Sequence, residues 1–251
     1  MSKQAAVIQP IEGTPDGVLA NVFSHERHIE APDIDLPETH VLNERLQMDA
    51  LTFLGGVPDS SIPAAFLDPQ YRGVLDKMKY GNEGKTRGKA RVMLPQMKEG
   101  DITAIVGEIS RVLIPSGHLF LWMDKFHLCE GFHDWRLGTS LQCVDLVVWN
   151  KERLAMGYRT RRTAEYLVIL QKTPRRAKGV WTVHNIPDVW SESIPRNENT
   201  THRKPVDLQG ELITAVTNAS DIVLDPAAGS FSVMDAALRR GRNFLGADIR
   251  G

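Results

Sequence analysis

A chain of 251 residues, 42% hydrophobic and 24% charged, is long enough for one α/β domain with a buried core and is neither fibrous nor wholly disordered. Its formal net charge of −1 removes any argument for a polyanionic partner from overall charge, so local basic clusters would have to meet such a partner. Cys129 and Cys143 are too few for a disulfide framework, the opening MSKQAAVIQP lacks a signal-peptide core, and no apolar run approaches the ~20 residues of a bilayer span; the expectation is a cytoplasmic protein with no membrane partner.

Residues 1–38 are rich in Pro, Gly, Asp and Glu without periodicity and read as an irregular N-terminal arm before a domain over 39–251. From His40, HVLNERLQMDALTFLGGV predicts a short strand and a short helix, closed by the turn PDSS. IPAAFLDP is a compact apolar run ending in Asp68-Pro69, the pattern of a buried strand with a polar carboxyl end, which is where open α/β sheets bind ligands. A basic, glycine-rich surface loop follows over 72–95. Ile102, Ile105, Val106, Ile109 and Leu113 then line one face of a helix from about Met97 to Leu113.

A turn at Pro115-Ser116-Gly117 leads into the strand HLFLWMD, and LQCVDLVVW and EYLVIL are two further strands separated by a charged connection. The stretch 173–207 is irregular; within it 173–203 is a candidate target-recognition segment, carrying Trp181, His184, Asn185 and Trp190. DLQGELITAVTNA predicts a helix, IVLDP a strand, FSVMDAALRRG a helix and NFLGADI a last strand. Strands alternating with helices in this way predict a mostly parallel sheet covered on both faces.

Two strand ends carry candidate chemistry. The turn Asp68-Pro69-Gln70-Tyr71 can set the Asp68 carboxylate beside the Pro69 carbonyl, two acceptors for one amino group, with the Tyr71 ring as a stacking face; a plain β-turn is the alternative. At Asp225 a strand turns through Ala227, Ala228 and Gly229 into a helix, so the backbone can approach a ligand closely, and Asp248 ends the next strand, where a carboxylate can accept from ribose hydroxyls. Neither G-x-G-x-x-G nor a P-loop occurs, which disfavours nicotinamide and ATP. Lys85, Arg87, Lys89 and Arg91, and separately Arg159, Arg161 and Arg162, are candidates for phosphate contact, or else solvated faces. His127, Glu130 and His133 have helical spacing but do not form H-E-x-x-H, and no metal is expected.

Four stretches together resemble the amino-group DNA methyltransferases of permuted motif order, the beta class. LDPQY at 67–71 is similar to the catalytic D-P-P-Y, IVLDPAAGSFS at 222–232 to the cofactor turn V-L-D-P-F-A-G-S-G, HRKP at 202–205 to H-P-T-Q-K-P, and LQMDAL at 46–51 to G-D-A-L. Gln70 in place of a proline and Phe231 in place of a glycine are the departures. The resemblance implies a Rossmann-like, S-adenosylmethionine-dependent methyltransferase domain with a mostly parallel, seven-stranded-type sheet in circularly permuted order, in which the strand ending at Asp68 lies beside the strand ending at Asp225.

It further implies methyl transfer to adenine N6 in double-stranded DNA, since Asp rather than Ser at position 68 favours adenine in that family. Cytosine N4 is the alternative, as is a non-catalytic module. A restriction-modification setting, nucleoid association and a homodimer belong to the same expectation. Asp68, Pro69, Gln70 and Tyr71 would form the catalytic turn around a base swung out of the duplex. Asp225, Ala227, Gly229 and Ser230 would cradle S-adenosylmethionine, with Asp248 at its ribose, Asp49 at its adenine end and Lys204 at its methionine carboxylate. Read without the resemblance, Asp49 is a helix N-cap and Lys204 a solvated lysine.

Overall fold

The computed structural model describes residues 27–69, 97–155, 159–194 and 203–251. In chain order these form β1 (Leu46–Gln47), α1 (Ala50–Gly55), β2 (Ile62–Leu67), α2 (Glu99–Val112), β3 (Leu113–Met123), α3 (Lys125–Glu130), a 3-10 turn (His133–Arg136), β4 (Leu141–Ala155), β5 (Arg162–Lys172), β6 (Val189–Ser191), α4 (Val206–Val216), β7 (Ile222–Asp225), α5 (Ser232–Arg239) and β8 (Asn243–Asp248). The described strands make one eight-stranded sheet in the order β1-β8-β7-β2-β3-β5-β4-β6.

Five adjacent strands, β1, β8, β7, β2 and β3, run parallel, whereas β5 is antiparallel to both β3 and β4 and β6 pairs parallel to β4. The sheet is therefore mixed, with its parallel half carrying the predicted strand ends. The reversal follows from the short link between β4 and β5: Ala155 pairs with Arg162, a hairpin closure, while a parallel pair would need a crossover of about a dozen residues.

Helices cover both faces, which is why all six residues of β2 are buried. On one face α1, α2 and Trp135 pack Phe53, Leu54, Ile102, Ile105 and Ile109 against the sheet; on the other α4 and α5 bring Leu208, Leu212 and Ala236 onto Phe66, Phe120 and Trp122. The turn expected at Pro115-Ser116-Gly117 is present as a bulge inside β3, where the partner of β2 jumps from Leu113 to His118 between Ile62 and Ala64. Glycine is required there, because a Cβ on Gly117 would stand 2.9 Å from the Ile114 carbonyl oxygen. The described part of the N-terminal arm has no helix or strand but is anchored: Arg27 donates to the carbonyls of Thr214 (3.1 Å) and Ala215 (2.9 Å), and the His28 amide to Gly179 (2.8 Å).

Candidate functional site

The five parallel strands end on one edge of the sheet, and an aspartate stands at or just past each end: Asp49 after β1, Asp248 on β8, Asp225 on β7, Asp68 after β2 and Asp124 after β3. Because β2 pairs with β7 in the register Ala65 to Leu224, Asp68 and Asp225 come together on neighbouring strands, as the permuted motif order requires. The antiparallel β5 begins at this same edge, with Tyr166 opposite Met123, so Glu165 joins the group.

Around the turn after β7, the carboxylates of Asp225 and Asp248 accept backbone N–H groups. Asp225 is buried, 5% exposed, and its Oδ1 accepts from the Ala227 amide at 3.2 Å. Burial pushes its carboxyl well above the usual carboxylate range; the Ala227 N–H and Lys204 oppose this, and the charges of Asp68 and Asp248 add to it. Gly229 has φ +51° and donates its amide to Asp248 Oδ2 at 3.1 Å, while the Arg250 amide donates to Oδ1 at 3.0 Å. Nothing lies within 4 Å of where a Cβ on Gly229 would be, so the turn presents exposed backbone to open space. Ala227 and Ser230 flank it, half-buried. Gly246, which sequence reasoning passed over, lets β8 close on β7: a Cβ there would stand 2.4 Å from the Asp225 carbonyl oxygen.

Phe231 occupies the position where the similar motif has glycine, and it keeps a glycine-like backbone, φ 56° and ψ 33°, as the N-cap of α5. Its ring is 1% exposed, edge-on to Phe244 at 6.0 Å, with the Arg45 guanidinium 5.1 Å from its centroid. The substitution therefore preserves the turn and adds an aromatic anchor beneath it.

Lys204 is not a solvated lysine. Its Nζ lies 2.5 Å from Asp68 Oδ2 and 3.2 Å from Glu165 Oε2, above the Trp122 ring at 5.3 Å. Burial alone would lower its pKa, but the two carboxylates outweigh burial and raise it above the ordinary lysine value. Glu165 is also paired with Lys151, whose ammonium sits 5.1 Å from the Trp149 ring. Burial would push the Glu165 carboxyl up; Lys204 and Lys151 instead hold it down to about 2. A signal for Glu165 was present in the sequence: with period two it shares the face of Leu167 and Ile169, and a carboxylate on an apolar face demands a partner.

Asp49 caps α1, accepting from the Leu51 (3.0 Å) and Thr52 (3.1 Å) amides, so its N-cap role is met while the carboxylate stays exposed at the site edge. Asp124 does the same for α3, accepting from Phe126 and His127, each at 3.0 Å, and His127 Nδ1 lies 3.0 Å from the same oxygen. His133 Nδ1 is 3.2 Å from Arg136. Arg159 and Arg161 are exposed and Arg162 half-buried where β5 begins; the Arg162 guanidinium and Lys125 ammonium flank the Phe126 ring at 5.6 and 5.4 Å. Trp181 and Trp190 pack against the second core, while His184 and Asn185 are exposed. Gln70, Tyr71, Lys85, Arg87, Lys89 and Arg91 lie outside the described residues.

A family model for DNA methylases, of the N6/N4 type, matches residues 99–251. The chain is 47% identical over 229 residues to the Type II methyltransferase M.HhaII of Haemophilus parahaemolyticus, covering 91% of this chain and 96% of that protein. Among solved structures, the PvuII DNA methyltransferase, described as cytosine-N4-specific, aligns with TM-score 0.63 at 15% identity, over 84% of this chain and 83% of that one. The Thermus thermophilus protein TTHA0409, complexed with S-adenosyl-L-methionine, aligns with TM-score 0.57 at 18% identity over 81% and 86%. At these identities the structural likeness establishes the shared fold.

Proposed function

The chain belongs to the N6/N4 DNA methylase family, and on that premise we propose that it transfers a methyl group from S-adenosylmethionine to N6 of adenine in double-stranded DNA. The observation that carries the reading is the adjacency of β2 and β7, which brings Asp68 near Asp225, where the open turn that leads to Gly229 begins. The residues fit the cofactor: bare backbone at Gly229 for close approach, Asp248 for ribose hydroxyls, exposed Asp49 for the adenine end, and Lys204, whose three N–H groups exceed its two carboxylate partners, for the methionine carboxylate. When bound, it supplies a sulfonium methyl: the new N–C bond forms as the C–S bond breaks and the electron pair returns to sulfur.

An exocyclic amine is a weak nucleophile because its lone pair is delocalised into the ring. Asp68 and the Pro69 carbonyl, by accepting its two N–H groups, localise that pair on nitrogen, and Asp68 takes up the proton that nitrogen sheds and passes it to water. Tyr71 provides a stacking face for the extruded base. Arg159, Arg161 and Arg162, at the same edge as Asp68, hold backbone phosphates, with Lys85, Arg87, Lys89 and Arg91 as further contacts.

The choice of adenine rests on Asp at position 68, and a 46% match over 52 residues, 21% of this chain, to the Escherichia coli DNA adenine methyltransferase YhdJ supports it. The likeness to PvuII methyltransferase keeps cytosine N4 as the second reading. The Type II relative supports a restriction-modification role. Mass analysis of nucleosides after incubation with cofactor and unmethylated duplex is the test: N6-methyladenine is expected, N4-methylcytosine would transfer the assignment to the second reading, and Asp68→Ala should abolish either product while sparing the turn from Asp225 to Ser230.

A further inference from the structure

We infer that Glu165 is a positioning residue of this site: it gives the Lys204 ammonium a second carboxylate to lean on, so that Asp68 can let go of the lysine and accept the target amine. The inference rests on the reading of Asp68 as the amine acceptor. In the structure Asp68, Lys204, Glu165 and Lys151 form an alternating row of charges, laid over the two edge-to-face indoles of Trp122 and Trp149. Lys204 touches Asp68 at 2.5 Å, on an oxygen of the carboxylate that must receive the substrate.

Were Asp68 the only side-chain carboxylate beside it, admitting the amine would leave a cation whose side chain is 13% exposed without an anionic partner fixed in the protein, which is strongly disfavoured. Glu165 removes that obstacle. It stands 3.2 Å from the Lys204 ammonium, on a strand whose backbone is fixed by pairing with β3 and β4, and Lys151 neutralises the charge it brings. A shift of Lys204 toward Glu165 frees Asp68 for the amine while the ammonium keeps a carboxylate partner.

The test compares steady-state methyl transfer to duplex DNA, calorimetric cofactor affinity and thermal unfolding for Glu165→Gln, Lys151→Met, the double variant and Asp68→Asn. Glu165→Gln removes charge without changing shape, and it should lower kcat about 10- to 100-fold, the worth of a charge-assisted hydrogen bond, while KM for DNA and cofactor affinity stay within about threefold. Glu165→Asp should recover part of the loss. Lys151→Met leaves the Glu165 carboxylate beside Lys204 and should lower kcat less than Glu165→Gln does. The double variant, with a matched pair of charges removed, should fold normally and remain slow.

Wild-type kcat in folded Glu165→Gln or in the double variant, with Asp68→Asn inactive, overturns the role of Glu165 and leaves Asp68 as acceptor. Equal losses in Lys151→Met and Glu165→Gln would also overturn it, as the sign of disturbed indole packing. Activity in Asp68→Asn instead overturns the underlying reading.

Discussion

Replacing Phe231 separates two opposing effects that meet at one residue of the turn after β7. Its left-handed backbone costs a non-glycine residue about 1–2 kcal/mol, while its ring is buried against Phe244 and truncation of such a ring to alanine typically costs about 3–5 kcal/mol. Phe231→Ala loses the ring and keeps the strain, so it should destabilise by about 3–5 kcal/mol. Phe231→Gly loses the ring but sheds the strain, leaving about 1–4 kcal/mol. Glycine should therefore be the more stable of the two by about 1–2 kcal/mol, the reverse of the usual helix-interior preference for alanine. Urea unfolding with matched slopes measures this, and calorimetry should find cofactor affinity within about threefold of wild type in the glycine variant, because Gly229 and Asp248 still close the turn. An alanine variant as stable as the glycine one would refute the claim that the left-handed backbone is what this position demands.

Two further outcomes follow from the same edge of the sheet. Asp248→Ala should weaken cofactor binding by about 1–3 kcal/mol, whereas Asp248→Asn, which can still accept from the Gly229 amide, should lose less; unchanged affinity in both by calorimetry would move the ribose contact elsewhere. Neutralising Arg159 and Arg161 together should flatten the dependence of DNA affinity on salt by about 0.9 in log–log slope per lost phosphate contact, and an unaltered slope in a fluorescence anisotropy titration would return them to a solvated face.

Much of the fold was legible because its central elements declare themselves locally. The helix expected from about Met97 to Leu113 spans Glu99–Val112, and the strands ending at Asp68, Asp225 and Asp248 sit where apolar runs met a carboxylate. The outer half was less legible for a physical reason. β4 continues to Ala155 through Glu152, Arg153 and Leu154, which are exposed at the end of a hairpin with no core to alternate against and so read as part of a charged connection. β6 is three residues held by pairing of Val189 and Trp190 to Val148 and Trp149, a tertiary fact with no signature in the irregular stretch that contains it. The metal-like spacing of His127, Glu130 and His133 dissolves because α3 ends at Glu130, and His127 turns back to the residue that caps its own helix.

Sheet topology explains why the site could be located by strand ends yet not completed from them. A parallel sheet brings its carboxyl ends to one edge whatever order the chain visits them in, so Asp68 and the Gly229 turn meet through the pairing of β2 with β7. Lys204 arrives from the segment just before α4, and Glu165 from a strand running the opposite way, so no local spacing links them to Asp68 or to each other. What joins them is charge: one ammonium buried over Trp122 cannot remain there without anionic partners, and Asp68 and Glu165 are the carboxylates that meet it. If Asp68 accepts the target amine, as proposed, then the burial of the lysine paired with it requires that Asp68 first be released.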